Sequence, residues 1–126
     1  MHRSKLAGFI IDCQSQDLEG AASFWGGALG MAVKPLAGDE GMIYRQLVDP
    51  AGRLHIEVQT VTHPSRVHLD IETDDIDAEV RRLEKLGATR VAQISTWWVM
   101  EAPTGHRFCV VRASSSDFLQ HSREWR

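Results

Sequence analysis

Cysteine is scarce in this sequence, two among 126 residues, and tyrosine is scarcer, with one. Two cysteines exclude the small secreted scaffold in which several bridges stand in for a core. Four prolines are too few for a polyproline or linker-like chain. No apolar run approaches the roughly 18 residues a membrane-spanning helix needs. There is no Lys/Arg block either. Fourteen basic against 17 acidic side chains leave a formal net charge of −3, without the basic stripe that nucleic-acid binding leaves in a sequence. The opening residues MHRSKLAGFIID pass from a short charged start into a strand pattern with no small-residue cleavage site, so no export signal is read. Cys13 and Cys109 are therefore expected as thiols in a cytoplasmic protein.

What is present is ordinary for one folded domain: 43% hydrophobic and 25% charged residues, enough for a real but modest core. Residues 6–13, LAGFIIDC, read as a buried strand. Asp17 is placed to cap a helix with Leu18, Ala22, Trp25 and Leu29 on one face, and Gly30 to end it. Gly26 and Gly27 weaken that helix by about 1 kcal/mol each relative to Ala, so packing must hold it. MAVKPL and MIYRQLVD read as strands around an AGDEG turn, and DPAG (Asp49–Gly52) as a tight turn. In LHIEVQTV, Leu54, Ile56 and Val58 alternate with His55, Glu57 and Gln59.

THPSR is the expected linker to a second half. VHLDIET sets Leu69 and Ile71 against His68, Asp70 and Glu72. A helix follows, with Asp74 and Asp77 at capping-box spacing, an apolar stripe of Ile76, Val80, Leu83 and Leu86, and Gly87 at its close. TRVAQIS, TWWVMEA and HRFCVVRA read as strands, the last after an APTG turn. The tail, 114–126, is polar apart from Phe118, Leu119 and Trp125. It is expected to dock on the surface or on a partner, or to be partly loose.

The halves repeat one order: strand, helix, two strands, a Pro-x-Gly turn, strand. Two copies at this spacing point to a duplicated module rather than a solenoid. The expectation is an α+β fold of two tandem βαβββ modules, about 6–60 and 66–113, forming a curved mixed sheet around a cleft with helices outside.

Three stretches, QDLEGAASFWGGALGM, VHLDIETDDIDAEVRRLEKLGA and APTGHRFCVV, resemble the vicinal oxygen chelate superfamily, which includes glyoxalase I, extradiol dioxygenases and bleomycin-resistance proteins. The resemblance covers about residues 6–113. It implies a divalent metal held by one ligand from the first and last strand of each module. By that match Glu57 and His68 are the surviving ligands. The first-strand position falls within Gly8, Phe9 or Ile10, none of which can ligate, and the last is Cys109 where the family has a glutamate. A hard, oxygen-preferring metal suits that set poorly. No cofactor is therefore the first expectation and a divalent metal the alternative. The resemblance also implies a homodimer, with Phe118 and Trp125 as candidate contacts.

The expected ligand-binding residues are His55, Glu57, Gln59, His68, Asp70, Trp97, Trp98 and Cys109. His55 with Glu57, and His68 with Asp70, share strand faces and could build a different divalent site, or simply line a wet surface. Glu57 is the candidate proton acceptor, or only the partner of Arg53 or His68. Trp97 and Trp98 must point to opposite faces, and periodicity leaves open which one offers a flat surface to a ligand. Cys109 reads first as a small buried hydrophobe. Two functions follow. One is a non-metal protein that binds a small organic ligand in the cleft between the modules, as the bleomycin-resistance branch does. The other is a metal-dependent lyase, isomerase or dioxygenase acting on vicinal oxygens. A metal-free acid–base lyase using Glu57 is a third.

Overall fold

The first strand, β1 (His2–Gln14), is the longest element and supplies residues to both of the chain's compact units. One unit is Gly8–Val67; the other joins Met1–Ala7 to His68–Arg126. The structure, a computed structural model, describes every residue from Met1 to Arg126. No helix is long and apolar enough to cross a membrane.

In the unit 8–67, β1 leads into α1 (Leu18–Leu29), β2 (Ala32–Pro35), β3 (Tyr44–Val48) and β4 (His55–Val61), with strand order β2-β3-β4-β1. The β1–β4 pair is parallel and the others antiparallel, the signature of a βαβββ module. Asp17 Oδ1 accepts the Gly20 N–H at 2.9 Å, and Gly30 closes α1 at φ 68°, a left-handed end that only glycine takes without strain. Gly26 has a packing reason: a Cβ there would lie 2.9 Å from Met31 O and Val33 Cγ2. The helix gives up propensity at that position to sit close to β2. Ile11, Leu18, Leu47, Ile56 and Val58 form the core, with Phe9 and Trp25 packed against it. Burial of each large side chain contributes about 1.5–3 kcal/mol.

The other unit repeats the order with β5 (Arg66–Thr73), α2 (Ile76–Lys85), β6 (Thr89–Ile94), β7 (Trp97–Glu101) and β8 (Arg107–Arg112), paired β5-β8-β7-β6. Again the outer pair of the module, β5–β8, is parallel. Val80, Leu83, Met100, Phe108 and Val110 make its core, joined by Ile71 and Trp98. The β6–β7 hairpin turns through two residues, Ser95 and Thr96, because Ile94 pairs with Trp97. Ser95 is the one non-glycine residue with positive φ, 54°. The α+β class and the duplicated module agree with the sequence pattern.

Four local expectations need correction. The first strand begins at His2, not near residue 6, because His2–Ser4 pair with a C-terminal strand, β9 (Arg123–Trp125). The cap of α2 is Asp75, which accepts from Ala78 N at 3.1 Å; Asp74 turns away and accepts the Arg3 N–H at 2.8 Å instead. Leu86, assigned to the apolar stripe, is 67% exposed, since α2 has already ended before it. The AGDEG turn is a short 3-10 helix over Gly38–Met42.

The tail is ordered by polar contacts that sequence periodicity does not report. A short helix, α3 (Phe118–His121), buries Phe118, and Trp125 Nε1 donates to Ser4 Oγ at 2.8 Å. Both residues named as dimer contacts are thus engaged within the chain. Beneath β9 lies Glu79, fully buried. It accepts from Arg82 Nε at 2.8 Å, Arg82 Nη2 at 2.7 Å and pairs with His2 Nε2 at 2.8 Å. Burial pushes the Glu79 carboxyl up, but the Arg82, His2 and Ser4 hydrogen bonds outweigh it and hold the group below the usual glutamate range. The Arg82 guanidinium stacks on the Trp125 ring, 3.9 Å from its centroid.

Candidate functional site

On β5 strand alternation separates Ile71, which faces the core, from His68, Asp70 and Glu72. Residues in register across a sheet share a face. Asp70 is opposite Cys109 on β8, and Cys109 opposite Val99 on β7. That places His68, Asp70 and Cys109 together, with their donor atoms all within 4.8 Å of one another. His68 Nε2 lies 3.6 Å from Asp70 Oδ1, and each side chain is 14% exposed. Cys109 is half-buried and not disulfide-bonded. An imidazole, a carboxylate and a thiol at this spacing are a donor set for a borderline-soft divalent ion such as zinc.

The same register resolves the two tryptophans. Trp98 pairs with Val110 and packs on the core, under Arg90, whose guanidinium carbon is 5.1 Å from the ring centroid. Trp97 is on the opposite face, the one carrying Val99 and Cys109. Of the two indoles, it is the one on the face of Asp70 and Cys109, on the register line of Glu72 rather than of His68.

The other module carries its own pair. On β4, His55 Nε2 is 3.5 Å from Glu57 Oε1, with Glu57 14% exposed. Ile56 and Val58 on the alternate face are in the core. Glu57 is therefore partnered by His55, not by Arg53. Gln59 is half-buried on the same face and in register with Asp12. Gly8 and Ile10 align with His55 and Glu57, so the resemblance's empty ligand position is on Glu57's face and has no ligating atom there. Two residues on, Asp12 does have one: it is 2% exposed and 3.7 Å from Arg66 Nε. Burial and Asp12 raise the Cys13 thiol above its ordinary value, against a smaller opposing hydrogen bond with Trp25.

Two buried acids, Asp12 and Glu72, were not singled out from sequence. Glu72 is 2% exposed, accepts from Ser115 Oγ at 2.8 Å through Oε2, and has no hydrogen-bond partner at Oε1. The available signal was an acid inside an apolar strand (IIDC) and an acid four residues beyond His68 on one strand face. An open groove of about 680 Å³ lies elsewhere, at the start of α2, between Thr73–Asp77, Gln93 and Arg112. None of the expected site residues lines it.

The glyoxalase-like domain family matches residues 8–111. Among solved structures, a hypothetical protein from Bacillus halodurans C-125 is similar at 11% identity and TM-score 0.63, covering 90% of this chain and 97% of that one. Methylmalonyl-CoA epimerase from Mycobacterium tuberculosis is similar at 17% identity and TM-score 0.59, covering 86% and 88%. A variant of the Streptomyces coelicolor methylmalonyl-CoA epimerase in complex with 2-nitronate-propionyl-CoA is similar at 15% identity and TM-score 0.58, covering 87% and 98%. No curated protein matches the chain. At these identities the structural likeness speaks for the fold alone. The family match over most of the chain, with the duplicated βαβββ modules, carries the assignment: the chain belongs to the glyoxalase-like domain family of the vicinal oxygen chelate superfamily.

Proposed function

We propose that this protein binds a small oxygen-bearing organic molecule beside His68, Asp70 and Cys109, and that these three residues hold a borderline-soft divalent ion there. The observation that carries the proposal is the convergence of their donor atoms within 4.8 Å. The chemistry of the set fits: thiolate and imidazole suit zinc or cobalt, and disfavour magnesium. When bound, such an ion would polarise a ligand oxygen as a Lewis acid. The chain's own residues have separate tasks. Asp70, 3.6 Å from His68 Nε2, would supply the carboxylate donor of the set. Trp97 offers an apolar wall on the same strand face. That some neighbours of this fold are epimerases solved with CoA thioester ligands supports a small organic acyl compound as the ligand class.

The test is metal analysis of protein purified without chelators, together with melting curves in added zinc. One equivalent of metal, a zinc-dependent rise in Tm, and loss of both in His68→Ala and Cys109→Ser are expected. With cobalt, wild type should show a thiolate-to-metal absorption band that Cys109→Ser lacks. Absence of bound metal together with no Tm shift would remove the ion from the reading and leave a metal-free binding protein.

A further inference from the structure

Two elements far apart in sequence, α2 and β9, meet along an open groove of about 410 Å³ lined by Arg81, Arg82, Lys85, Leu86, Trp125 and Arg126. The charged side chains that line it are all basic. Glu79, the carboxylate beneath it, is fully buried and already engaged by Arg82 and His2. Arg81, Lys85 and Arg126 are in none of the chain's ion pairs, although the chain as a whole has a net charge of −3. The helix macrodipole accounts for cations in the last turn of α2, where Arg82 and Lys85 sit. It does not account for Arg81, nor for a strand that returns from the far end of the chain to bring Arg126 to the same place.

The groove is also rigidly built on one side. Trp125 is pinned by its hydrogen bond to Ser4 and covered by the Arg82 guanidinium, while Arg123 lies 5.2 Å from its ring centroid. Glu79 holds Arg82 by two parallel hydrogen bonds, so its position is set before any ligand arrives. Neighbouring cations raise a local positive potential. Guanidinium and ammonium donors directed at one volume match an anion with several acceptor oxygens better than a single carboxylate.

We propose that this groove is a binding site for the phosphate group of a small phosphorylated molecule, with Arg81, Lys85 and Arg126 donating to its oxygens. The site is separate from the His68 cluster and stands on different residues. Arg82 serves as a positioning residue, since its fork is committed to Glu79.

The test uses the full chain, labelled with nitrogen-15, titrated with inorganic pyrophosphate and with adenosine 5′-monophosphate. The Trp125 indole N–H signal, assigned through Trp125→Phe, should move and saturate. The double variant Arg81→Ser, Lys85→Ser should weaken binding by about tenfold or more while keeping the wild-type spectrum elsewhere and an unchanged Tm. A shift that sodium chloride of equal ionic strength reproduces would mean screening only and would overturn the site. So would equal binding by the double variant, or no saturation by either probe. Capture on anionic-lipid vesicles without saturation by the small phosphates would assign the groove to a membrane surface and likewise overturn the proposal.

Discussion

Replacing Glu79 with glutamine keeps the size of the side chain and removes its charge. Glu79 is fully buried and receives three short hydrogen bonds, two from Arg82 and one shared with His2. Breaking one partner of a buried pair typically costs about 3–5 kcal/mol. Arg82 retains 23% side-chain exposure, so water can take up part of its lost bonding, and the three bonds are not additive. The expected loss at neutral pH is about 2–4 kcal/mol. For 126 residues, an unfolding entropy of about 2.1 cal/mol/K per residue converts that to a Tm drop of about 8–15 °C. The pH dependence has a definite sign. The folded-state carboxyl is held low, so its contribution is complete above the unfolded-chain value of about 4.3 and fades as pH falls through the lower folded value. Urea unfolding followed by circular dichroism, wild type against Glu79→Gln, should show a gap that is full at pH 7 and narrows on acidification. Equal stabilities at pH 7, or a gap unaffected by acid, would refute the reasoning.

Other substitutions test the frame. A Cβ at Gly8 would fall 1.8 Å from His55 O, so Gly8→Ala should part β1 from β4 and cost more than about 3 kcal/mol, seen as a collapsed urea midpoint. Asp75→Ala should cost about 1 kcal/mol through the lost α2 cap, measured the same way. Met100→Ala, at a site with no exposure, should cost about 2–5 kcal/mol. Because Cys13 is raised above its ordinary value, its iodoacetamide labelling at pH 8 should be much slower than that of a free thiol; peptide mapping with time would check this.

Periodicity carried the modules because their signals are local: the alternation of His55 to Val58 and of His68 to Ile71, the Gly30 helix end, and the Pro-x-Gly turns. The site was partly readable for the same reason. His68 and Asp70 share a strand, so their common face follows from spacing two apart. Cys109 joins them only through the β5–β8 register, which no local pattern encodes, and it therefore read as a small hydrophobe. Periodicity cannot orient Trp97 and Trp98; the pairing of Trp98 with the buried Val110 does. The contacts made by the tail were hidden altogether. Glu79 looks like a solvated helix residue in sequence, yet it is buried because His2 and Ser4 of β1 join Arg82, one turn along its own helix, to satisfy it.

The hairpin that joins β6 to β7 bends through Ser95 in a left-handed conformation that serine adopts at a cost of order 1 kcal/mol. Which indole faces which way is set at that bend. A single residue inserted there, with the downstream pairing allowed to slide, would rotate β7 by one position, exile Trp98 from its packing and thrust Trp97 into the hydrophobic interior. A glycine at 95 would relieve the bend and leave both rings where they stand.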